Sequence, residues 1–207
     1  MKKLFLSIVF INIFFAQLHA HVHHGKLEVI CGPMFAGKSE ELMRRLNRAH
    51  IAHQKILVVK PMLDTRDAHN VIVTHNGATY EARAINSAQE LLDLAGDYEV
   101  IAIDEVQFFA DDIIPAVRTL MAQGKRVIIA GLDLDYRGEP FGPIASLLAM
   151  ADTVTKLQAI CTLCGSDAHR SQRIINGKPA RYHDPIIMIG AEESYQARCK
   201  QCYIIES

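Results

Sequence analysis

The sequence predicts an α/β protein with a central parallel sheet, followed by a small β-type domain. Two patterns lead to this prediction. Short apolar runs alternate with amphipathic helical patterns up to about residue 160, and beyond Cys161 only short β-type runs remain, around Asn176-Gly177. Alternating strands and helices fold into right-handed β-α-β units, which build parallel sheets. We therefore expect a leader at residues 1–25, a main domain at 26–160 and a second domain at 161–207.

Composition fits this organisation. The chain has 207 residues, half of them hydrophobic, which is enough to bury a core in one medium domain with an appendage. Lys and Arg number 22 against 23 Asp and Glu, giving a net charge of −1. This balance provides no bulk positive field for nucleic acid, so we expect no nucleic-acid partner.

The elements follow in order along the chain. Continuous apolar runs predict the strands of the sheet, at 27–31, 55–59, 99–103, 125–130 and 157–160. Helical spacing and stop signals predict helices from Lys38 onward, from Ser87, over 111–123 and over 142–151. Ser87 and Glu90 form a capping box at the start of the second helix. The polar stretch from Asp64 to about Asn76-Gly77 predicts a loop.

A phosphate-binding loop follows the first strand. Residues 32–39 fit G-x-x-x-x-G-K-[ST], which wraps nucleotide phosphates in its own backbone N–H groups. The helix that follows points its unpaired N–H groups and positive dipole end at an anion. Lys38 would reach the β- and γ-phosphates, and Ser39 would offer its hydroxyl to Mg²⁺. We expect the whole loop to bind ATP and Mg²⁺: Gly32, Pro33, Met34, Phe35, Ala36, Gly37, Lys38 and Ser39.

An acidic pair ends the third strand. Ligands collect at the carboxyl ends of parallel strands, and Asp104-Glu105 stands there, about 65 residues after the phosphate loop. An Asp in this place holds Mg²⁺ together with Ser39. Glu105 would orient water in a nucleotide hydrolase, or accept the proton of the attacking hydroxyl in a kinase. The predicted ATP and Mg²⁺ site at this strand end comprises Asp104, Glu105, Val106 and Gln107.

Four cysteines stand in two CxxC pairs. Cys161 and Cys164 form one pair, and Cys199 and Cys202 form the other, with 34 residues between the pairs. Two such turns complete a tetrahedral zinc site with no open position, so the zinc would be structural. The alternatives are two disulfides or free thiols. Cys31 lies in a strand and is expected to be a small core residue.

The first 20 residues resemble a secretory signal. Lys2 and Lys3 precede the apolar run Leu4–Phe15, and Leu18-His19-Ala20 makes a cleavage site. The run is too short to span a bilayer as a helix, so no membrane association is expected. Export conflicts with a need for ATP, which is maintained in the cytoplasm. We therefore expect a non-structural leader on a cytoplasmic enzyme.

With these residues placed, the chain from about Leu27 to Tyr203 strongly resembles the thymidine kinases of the type II family, which includes the human cytosolic enzyme. Several motifs in the right order carry the resemblance: 32–39, Asp64-Thr65-Arg66, 104–109, Gly131-Leu132-Asp133, Pro140-Phe141-Gly142, the two CxxC pairs, and Gly190 with Tyr195. The resemblance implies a RecA-like P-loop domain and a zinc domain whose lasso loop closes over the nucleoside. It also implies a homotetramer and feedback inhibition by the triphosphate end product.

The resemblance also implies roles for individual residues. Glu105 would take the proton from the 5′-hydroxyl of thymidine, and Asp64 would hold the 3′-hydroxyl. Arg66 and Arg173 would lie near the phosphates. The residues expected around thymine are Met34, Phe108, Leu132, Tyr136 and Tyr195, with main-chain groups of the lasso at Met188, Ile189 and Gly190 reading the base edge. Tyr136 stands where Phe is common in the family.

Two functions remain in competition at this point. The first is an ATP-dependent thymidine kinase, with deoxyuridine as a secondary substrate. The second is a P-loop ATPase or nucleotide switch whose zinc module binds nucleic acid or a protein partner. The missing excess of basic residues counts against the second function, which also leaves Asp64-Thr65-Arg66 and Tyr195 without a role.

Overall fold

The computed structural model describes residues 25–62, 71–73, 79–187 and 193–206. The predicted signal-like segment lies outside these residues, as do Asp64, Thr65 and Arg66 and the Asn76-Gly77 turn. Within the described part of the chain, no helix combines the length and the apolar character that crossing a membrane requires.

A six-stranded parallel sheet forms the centre of the fold. The first eight strands in chain order are β1 (Lys26–Cys31), β2 (Ile56–Pro61), β3 (Val71–Val73), β4 (Thr79–Glu81), β5 (Arg83–Ile85), β6 (Val100–Ile103), β7 (Arg126–Gly131) and β8 (Thr153–Lys156). Six of them join the sheet in the order β5-β2-β6-β7-β1-β8, every neighbouring pair being parallel. The prediction of an α/β fold with a central parallel sheet is confirmed.

Helices cover both faces of the sheet. They are α1 (Lys38–Ile51), α2 (Ala88–Ala95), α3 (Ile113–Ala122) and α4 (Ile144–Met150). The apolar stripe of α1, with Leu42 and Leu46, packs on one face, and the apolar stripes of α2, α3 and α4 build the larger core on the other. Burial on both faces explains why the central strands are continuous apolar runs. Half of the predicted capping box is present, because the Glu90 N–H donates to Ser87 Oγ at 3.2 Å, but the Glu90 carboxylate accepts from the N–H of Asn86 rather than from that of Ser87.

The strand order brings three loops to one edge of the sheet. Strand β7 lies between β1, which leads into the phosphate loop, and β6, which ends at the acidic pair. Because all three strands are parallel, their carboxyl ends meet at the same edge. The residues after Cys31, Ile103 and Gly131 therefore share one end of the molecule.

Two predictions about the elements are wrong. The last strand of the sheet is β8, over Thr153–Lys156, rather than 157–160. Strand β8 lies at the edge of the sheet, and its side chains alternate between half-buried and exposed. Its sequence therefore lacks the continuous apolar run that predicts the central strands. The predicted loop between Asp64 and Gly77 contains strand β3, which pairs antiparallel with β4. Such a three-residue strand is too short for a periodic signal.

The rest of the chain forms small antiparallel sheets. Its strands are β9 (Ala159–Ile160), β10 (Asp167–Ala168), β11 (Arg170–Ile175), β12 (Lys178–Pro179) and β13 (Glu193–Arg198). Strand β11 lies between β12 and β13, and β9 pairs with β10. The turn between β11 and β12 uses Asn176 and Gly177, both at positive φ. The described residues after α4 contain no helix, as the sequence predicts.

Candidate active site

The phosphate loop leaves β1 by a turn that only glycine accommodates. Gly32 has φ of +144°, and a Cβ there would lie 2.4 Å from the Leu157 carbonyl oxygen. Gly37 has φ of +80° and immediately precedes α1, which begins at Lys38. The two glycines of the motif therefore serve a close approach of the backbone at one end and a left-handed conformation at the other.

The phosphate loop is fastened to the cysteine-bearing part of the chain. The Met34 N–H donates a hydrogen bond of 2.9 Å to Ser171 Oγ on β11. Two residues further on, Ala36 packs against a small buried cluster. The cluster comprises Ala159, Cys161, Ala168, Ala197 and Cys199. The loop is thus held by a polar contact and an apolar contact on the same side.

A cavity opens between the phosphate loop and the acidic pair. It has a volume of about 120 Å³ and is lined by Met34, Phe35, Gly37, Lys38, Ser39, Glu40, Glu105 and Leu132. The Lys38 ammonium donates 2.8 Å to the Pro33 carbonyl, which keeps its charge beside the loop. A cationic amine, a hydroxyl and a carboxylate, in Lys38, Ser39 and Glu105, therefore line one small space.

The acidic pair occupies a constrained turn. The Asp104 N–H bonds the Val59 carbonyl on β2 at 3.0 Å, which continues the sheet by one residue. Asp104 Oδ1 accepts 2.9 Å from the Glu105 N–H. Glu105 itself is left-handed, with φ of +50°, and begins a short 3₁₀ helix at Val106–Phe108. A non-glycine residue in this region carries strain that the surrounding structure must support.

The side-chain amide of Gln107 holds the Glu105 carboxylate in position. Its side chain is buried, its Nε2 donates to Glu105 Oε2, and its Oε1 accepts 3.0 Å from the Leu132 N–H. The space for the amide exists because Gly131 has no side chain, since a Cβ there would lie 2.6 Å from Gln107 Oε1. Gln107 therefore couples the end of β6 to the end of β7 and restricts the position of the Glu105 carboxylate.

Three other predicted site residues, Val106, Phe108 and Tyr195, are not among the residues that line the cavity. Val106 is fully buried in the core. Phe108 makes an edge-to-face contact with Phe141, with ring centroids 5.6 Å apart. Tyr195 pairs with Arg173 across strands β13 and β11. The roles assigned to these residues from the sequence stay predictions.

Of the remaining predicted residues, Tyr136 is not among those that line the cavity, and the others lie outside the described part of the chain. Tyr136 is buried. The guanidinium carbon of Arg173 lies over the Tyr136 ring, 5.0 Å from the ring centroid. Residues Asp64, Arg66, Met188, Ile189 and Gly190 all lie outside the described residues.

The four cysteines of the two CxxC pairs converge. Their sulfur atoms all lie within 4.8 Å of one another, and Cys164 Sγ lies 3.6 Å from Cys199 Sγ. A tetrahedral zinc ion with Zn–S distances near 2.3 Å requires sulfur separations of about 3.8 Å. No disulfide joins these cysteines. The donor set therefore fits a metal ion such as zinc.

Hydrogen bonds lower the pKa of two of these thiols, Cys161 and Cys164, whereas the hydrogen bond with Cys199 above all raises the pKa of Cys202 to about 12. Burial acts to raise the pKa of Cys161, but hydrogen bonds from the backbone of Cys199, Leu163 and Cys164 outweigh it and lower that pKa to about 6. A thiol of this acidity forms thiolate readily near neutral pH, and thiolate is the form that binds a metal.

Two contacts at this end of the sheet cannot be predicted from the sequence. Ser171 is a single serine in a strand, and no local pattern marks its contact with the phosphate loop. Lys156 Nζ lies 2.8 Å from the buried carboxylate of Asp133, joining the ends of β8 and β7. Burial, with the Asp133 charge, also raises the pKa of the adjacent Cys31 to about 11, so this thiol stays protonated.

Two solved structures resemble this chain distantly. A replication initiator DnaA bound to AMPPCP and single-stranded DNA is 13% identical, with a TM-score of 0.42, over 64% of this chain and 40% of that chain. A DNA replication initiation factor is 15% identical, with a TM-score of 0.41 and the same coverage. The chain thus spans two fifths of the length of these proteins, and so low a likeness says nothing about activity.

The family comparison is far more extensive. The family model described as thymidine kinase matches residues 25–203. The match runs through the phosphate loop, the acidic pair, Gln107 and both CxxC pairs, which are the features that the structure gathers at one end of the sheet. The chain belongs to the thymidine kinase family.

Proposed function

We propose that the protein is an ATP:thymidine 5′-phosphotransferase, which transfers the γ-phosphoryl group of ATP to the 5′-hydroxyl of thymidine and yields dTMP. The observation that carries the proposal is the single cavity lined by both Lys38 of the phosphate loop and Glu105 of the acidic pair. Phosphoryl transfer requires a cradle for the donor phosphates and a base for the acceptor alcohol, placed next to each other. Membership of the thymidine kinase family supports the choice of nucleoside.

Lys38 and the loop amides serve the donor side. The Lys38 ammonium neutralises charge on the β- and γ-phosphates, and the N–H groups at the start of α1 bind phosphate oxygens. The Met34 N–H is already bonded to Ser171. Phosphate binding is therefore assigned to the amides from Phe35 to Ser39.

Glu105 serves the acceptor side as the general base. Its carboxylate lines the cavity and is restrained by Gln107. It accepts the proton of the 5′-hydroxyl as that oxygen attacks the γ-phosphorus, and the bond from the γ-phosphorus to the bridging oxygen of ADP breaks. The restraint from Gln107 lowers the cost of holding the base in a reactive position.

The oxygen donors of the site suit Mg²⁺ bound with ATP. Ser39 and Asp104 provide a hydroxyl and a carboxylate, which are the hard ligands that this ion prefers. Mg²⁺ supplies charge neutralisation on the phosphate oxygens. Asp104 keeps its position through the bonds that its backbone and carboxylate make with Val59 and Glu105.

The nucleoside is assigned to the side of the cavity formed by Leu132 and Met34. Both residues line the cavity and offer apolar surface to a base. The other residues proposed for the nucleoside are Phe108, Tyr136, Tyr195, Asp64, Arg66, Met188, Ile189 and Gly190, with Arg173 near the phosphates. A lasso closing over this side would exclude water, which competes with the nucleoside as acceptor.

The cysteine cluster is proposed to hold a structural zinc ion. Four thiolates complete a tetrahedral site, so no position remains for a substrate. Ala36 packs against the same buried cluster as Cys161 and Cys199, so the metal site would stabilise the loop that cradles the phosphates. We also propose that the chain divides into a P-loop kinase domain at residues 26–160 and a zinc-binding domain at residues 161–207.

Three further properties belong to this proposal as expectations from the type II kinases. They are a homotetramer, a cytoplasmic location despite the signal-like leader at 1–25, and a role in pyrimidine deoxynucleoside salvage for DNA synthesis. Native mass measurement tests the first. Mass spectrometry of the native N-terminus tests the second.

The direct test is the dependence of ATP turnover on thymidine. ADP formation is measured with and without thymidine, and the nucleotide product dTMP is separated from thymidine by chromatography. The proposal predicts little turnover alone, strong stimulation by thymidine and one dTMP formed per ADP. Turnover that ignores thymidine would contradict the proposal and favour the nucleotide switch.

A further inference from the structure

An ion pair crosses the carboxyl end of β1, where the phosphate loop begins. The ammonium of Lys156, on β8, lies 2.8 Å from Oδ2 of Asp133, which follows the end of β7. Strand β1 lies between these two strands, and its last residue, Cys31, is opposite both Gly131 of β7 and Lys156 of β8. The pair therefore joins the two neighbours of β1 at the point where Gly32 opens the phosphate loop.

The two partners of this ion pair differ in their exposure. The Asp133 side chain is 5% exposed, whereas that of Lys156 is 58% exposed. Asp133 Oδ1 is fully buried, and no donor among the residues that the structure describes forms a hydrogen bond with it. Burying an ionised carboxylate without compensation is costly, so the ammonium of Lys156 supplies a charge that the buried Asp133 requires.

This buried carboxylate lies close to the proposed phosphate site. Leu132, which precedes Asp133, lines the same cavity as Lys38. Burial above all, and next the charge of Asp133, raises the pKa of the Cys31 thiol to about 11. The charges of Lys156 and Lys38 oppose this rise. One carboxylate and two ammonium groups therefore lie near the end of β1.

An unpaired carboxylate in this place would act against nucleotide binding in two ways. It would repel the phosphates, which bring several negative charges to the loop, and it would compete with them for the ammonium of Lys38. Because Lys156 neutralises Asp133, the Lys38 ammonium stays beside the loop, where it donates 2.8 Å to the Pro33 carbonyl.

We infer that Lys156 is a positioning residue for the nucleotide phosphates, acting through its ion pair with the buried carboxylate of Asp133 at the base of the phosphate loop. The inference deepens the proposed function, because it rests on the assignment of this loop to ATP. It gives the two partners unequal roles, since Lys156 is needed while Asp133 is charged and becomes dispensable when that side chain is neutral. A pair that merely braced β7 against β8 would need both partners equally.

The test is a double-mutant cycle in the full-length protein, with Lys156→Met, Asp133→Asn and the two changes combined. Calorimetric titration with ADP gives the Kd, and thermal unfolding establishes that each variant is folded at the temperature of the titration. Lys156→Arg keeps the charge. The control variant Lys55→Met removes the same charge from an ion pair at the opposite end of the sheet, where Lys55 precedes β2 and lies 3.9 Å from Asp97.

Lys156→Met is expected to raise the Kd for ADP about tenfold, which is the order expected for one uncompensated charge near a polyanion at an effective dielectric constant of about 20. Adding Asp133→Asn should restore the Kd to within about twofold of the wild-type value. Asp133→Asn alone should leave ADP binding unchanged or make it tighter. Lys156→Arg and Lys55→Met should bind ADP as the wild type does.

Wild-type ADP affinity in Lys156→Met would overturn the inference, and so would a double variant that binds ADP as weakly as Lys156→Met alone. If Lys156→Met fails to fold, Asp133→Asn still decides, because a loss of ADP affinity in that variant contradicts the inference and retained affinity supports it. Wild-type protein that binds ADP but does not phosphorylate thymidine would refute the proposed phosphotransferase, while the ADP titrations would still decide the role of Lys156.

Discussion

The backbone N–H of Met34 donates a 2.9 Å hydrogen bond to Ser171 Oγ, across 137 positions of sequence. One residue belongs to the phosphate loop at the end of a parallel strand, and the other to β11 of the small antiparallel sheet. Ala36 adds an apolar contact next to it. The shape of the phosphate loop therefore depends on the cysteine-bearing part of the chain as well as on β1 and α1.

Removing this hydroxyl should weaken nucleotide binding. In Ser171→Ala the Met34 N–H loses its partner, so the loop must reorder when phosphates bind. A net hydrogen bond contributes about 1 kcal/mol, which corresponds to about a fivefold loss of affinity for ADP. Calorimetric titration with ADP measures the change. Ser194→Ala, on the exposed side of neighbouring β13, is the matched control, and equal affinities in the two variants would contradict the role of Ser171.

A methyl group at Gly131 should disturb the base without reaching the phosphates. The new Cβ would lie 2.6 Å from Gln107 Oε1 and 2.9 Å from Val106 Cγ1, so Gln107 must move and release Glu105. We expect Gly131→Ala to lower kcat by about tenfold or more while ADP affinity is retained.

A double-mutant cycle isolates this effect. In a Gln107→Ala background the amide is already absent, so adding Gly131→Ala should lower kcat much less than it does in the wild type. Equal effects in both backgrounds would show that Gly131 acts through another contact.

The sequence predicts most of this site, and the reasons are local. Short motifs form most of it, namely the phosphate loop, the acidic pair and the CxxC pairs. In each motif the residue types and their spacing indicate a specific chemistry. Long apolar runs likewise reveal the central strands, because both of their faces are buried. Edge strand β8 escapes because one of its faces is exposed.

Contacts between distant segments cannot be predicted from the sequence, for a different reason. Nothing near Ser171 indicates that its hydroxyl meets the phosphate loop, and nothing near Lys156 indicates that its ammonium meets the buried carboxylate of Asp133. Such pairs are created when loops pack against segments that are distant in the sequence. Only the three-dimensional structure brings them together.

The protein is expected to contain about one zinc ion per chain. Elemental analysis of the purified protein measures the content, and titration with a thiol reagent counts reactive cysteines before and after a chelator. Cys164→Ser should lose the metal and unfold at a lower temperature, because a structural zinc contributes directly to folding. Two disulfides in metal-free protein would contradict the zinc assignment.

Acid should weaken the start of α1. Glu41 accepts hydrogen bonds from Arg44 and Arg45, and the bond from Arg44 above all lowers the pKa of Glu41 from 4.5 to about 2. A folded-state pKa below the unfolded value stabilises the fold fully above about pH 4.5, and this stabilisation is lost as the pH falls toward 2. Because Arg44 is well exposed, solvent screening keeps the contribution small.

Urea unfolding at about pH 6 and about pH 3.5 measures this contribution. Glu41→Gln should lose less free energy of unfolding between the two values than the wild type does. Asp111→Asn removes an exposed carboxylate that makes no ion pair with any described residue, and it should behave like the wild type. An acid dependence in Glu41→Gln equal to that of the wild type would contradict the assignment.

The role of Glu105 gives the most direct test of the account. Glu105→Gln keeps the size of the side chain and removes its ability to accept a proton. Glu40→Gln, which changes another carboxylate lining the same cavity, is the control. The measurement is kcat for thymidine-dependent dTMP formation beside the Kd for ADP. We predict that Glu105→Gln lowers kcat by about 100-fold or more with little change in Kd, and that Glu40→Gln has a much smaller effect on kcat. A Glu105→Gln variant with wild-type kcat would contradict the claim that this carboxylate is the base.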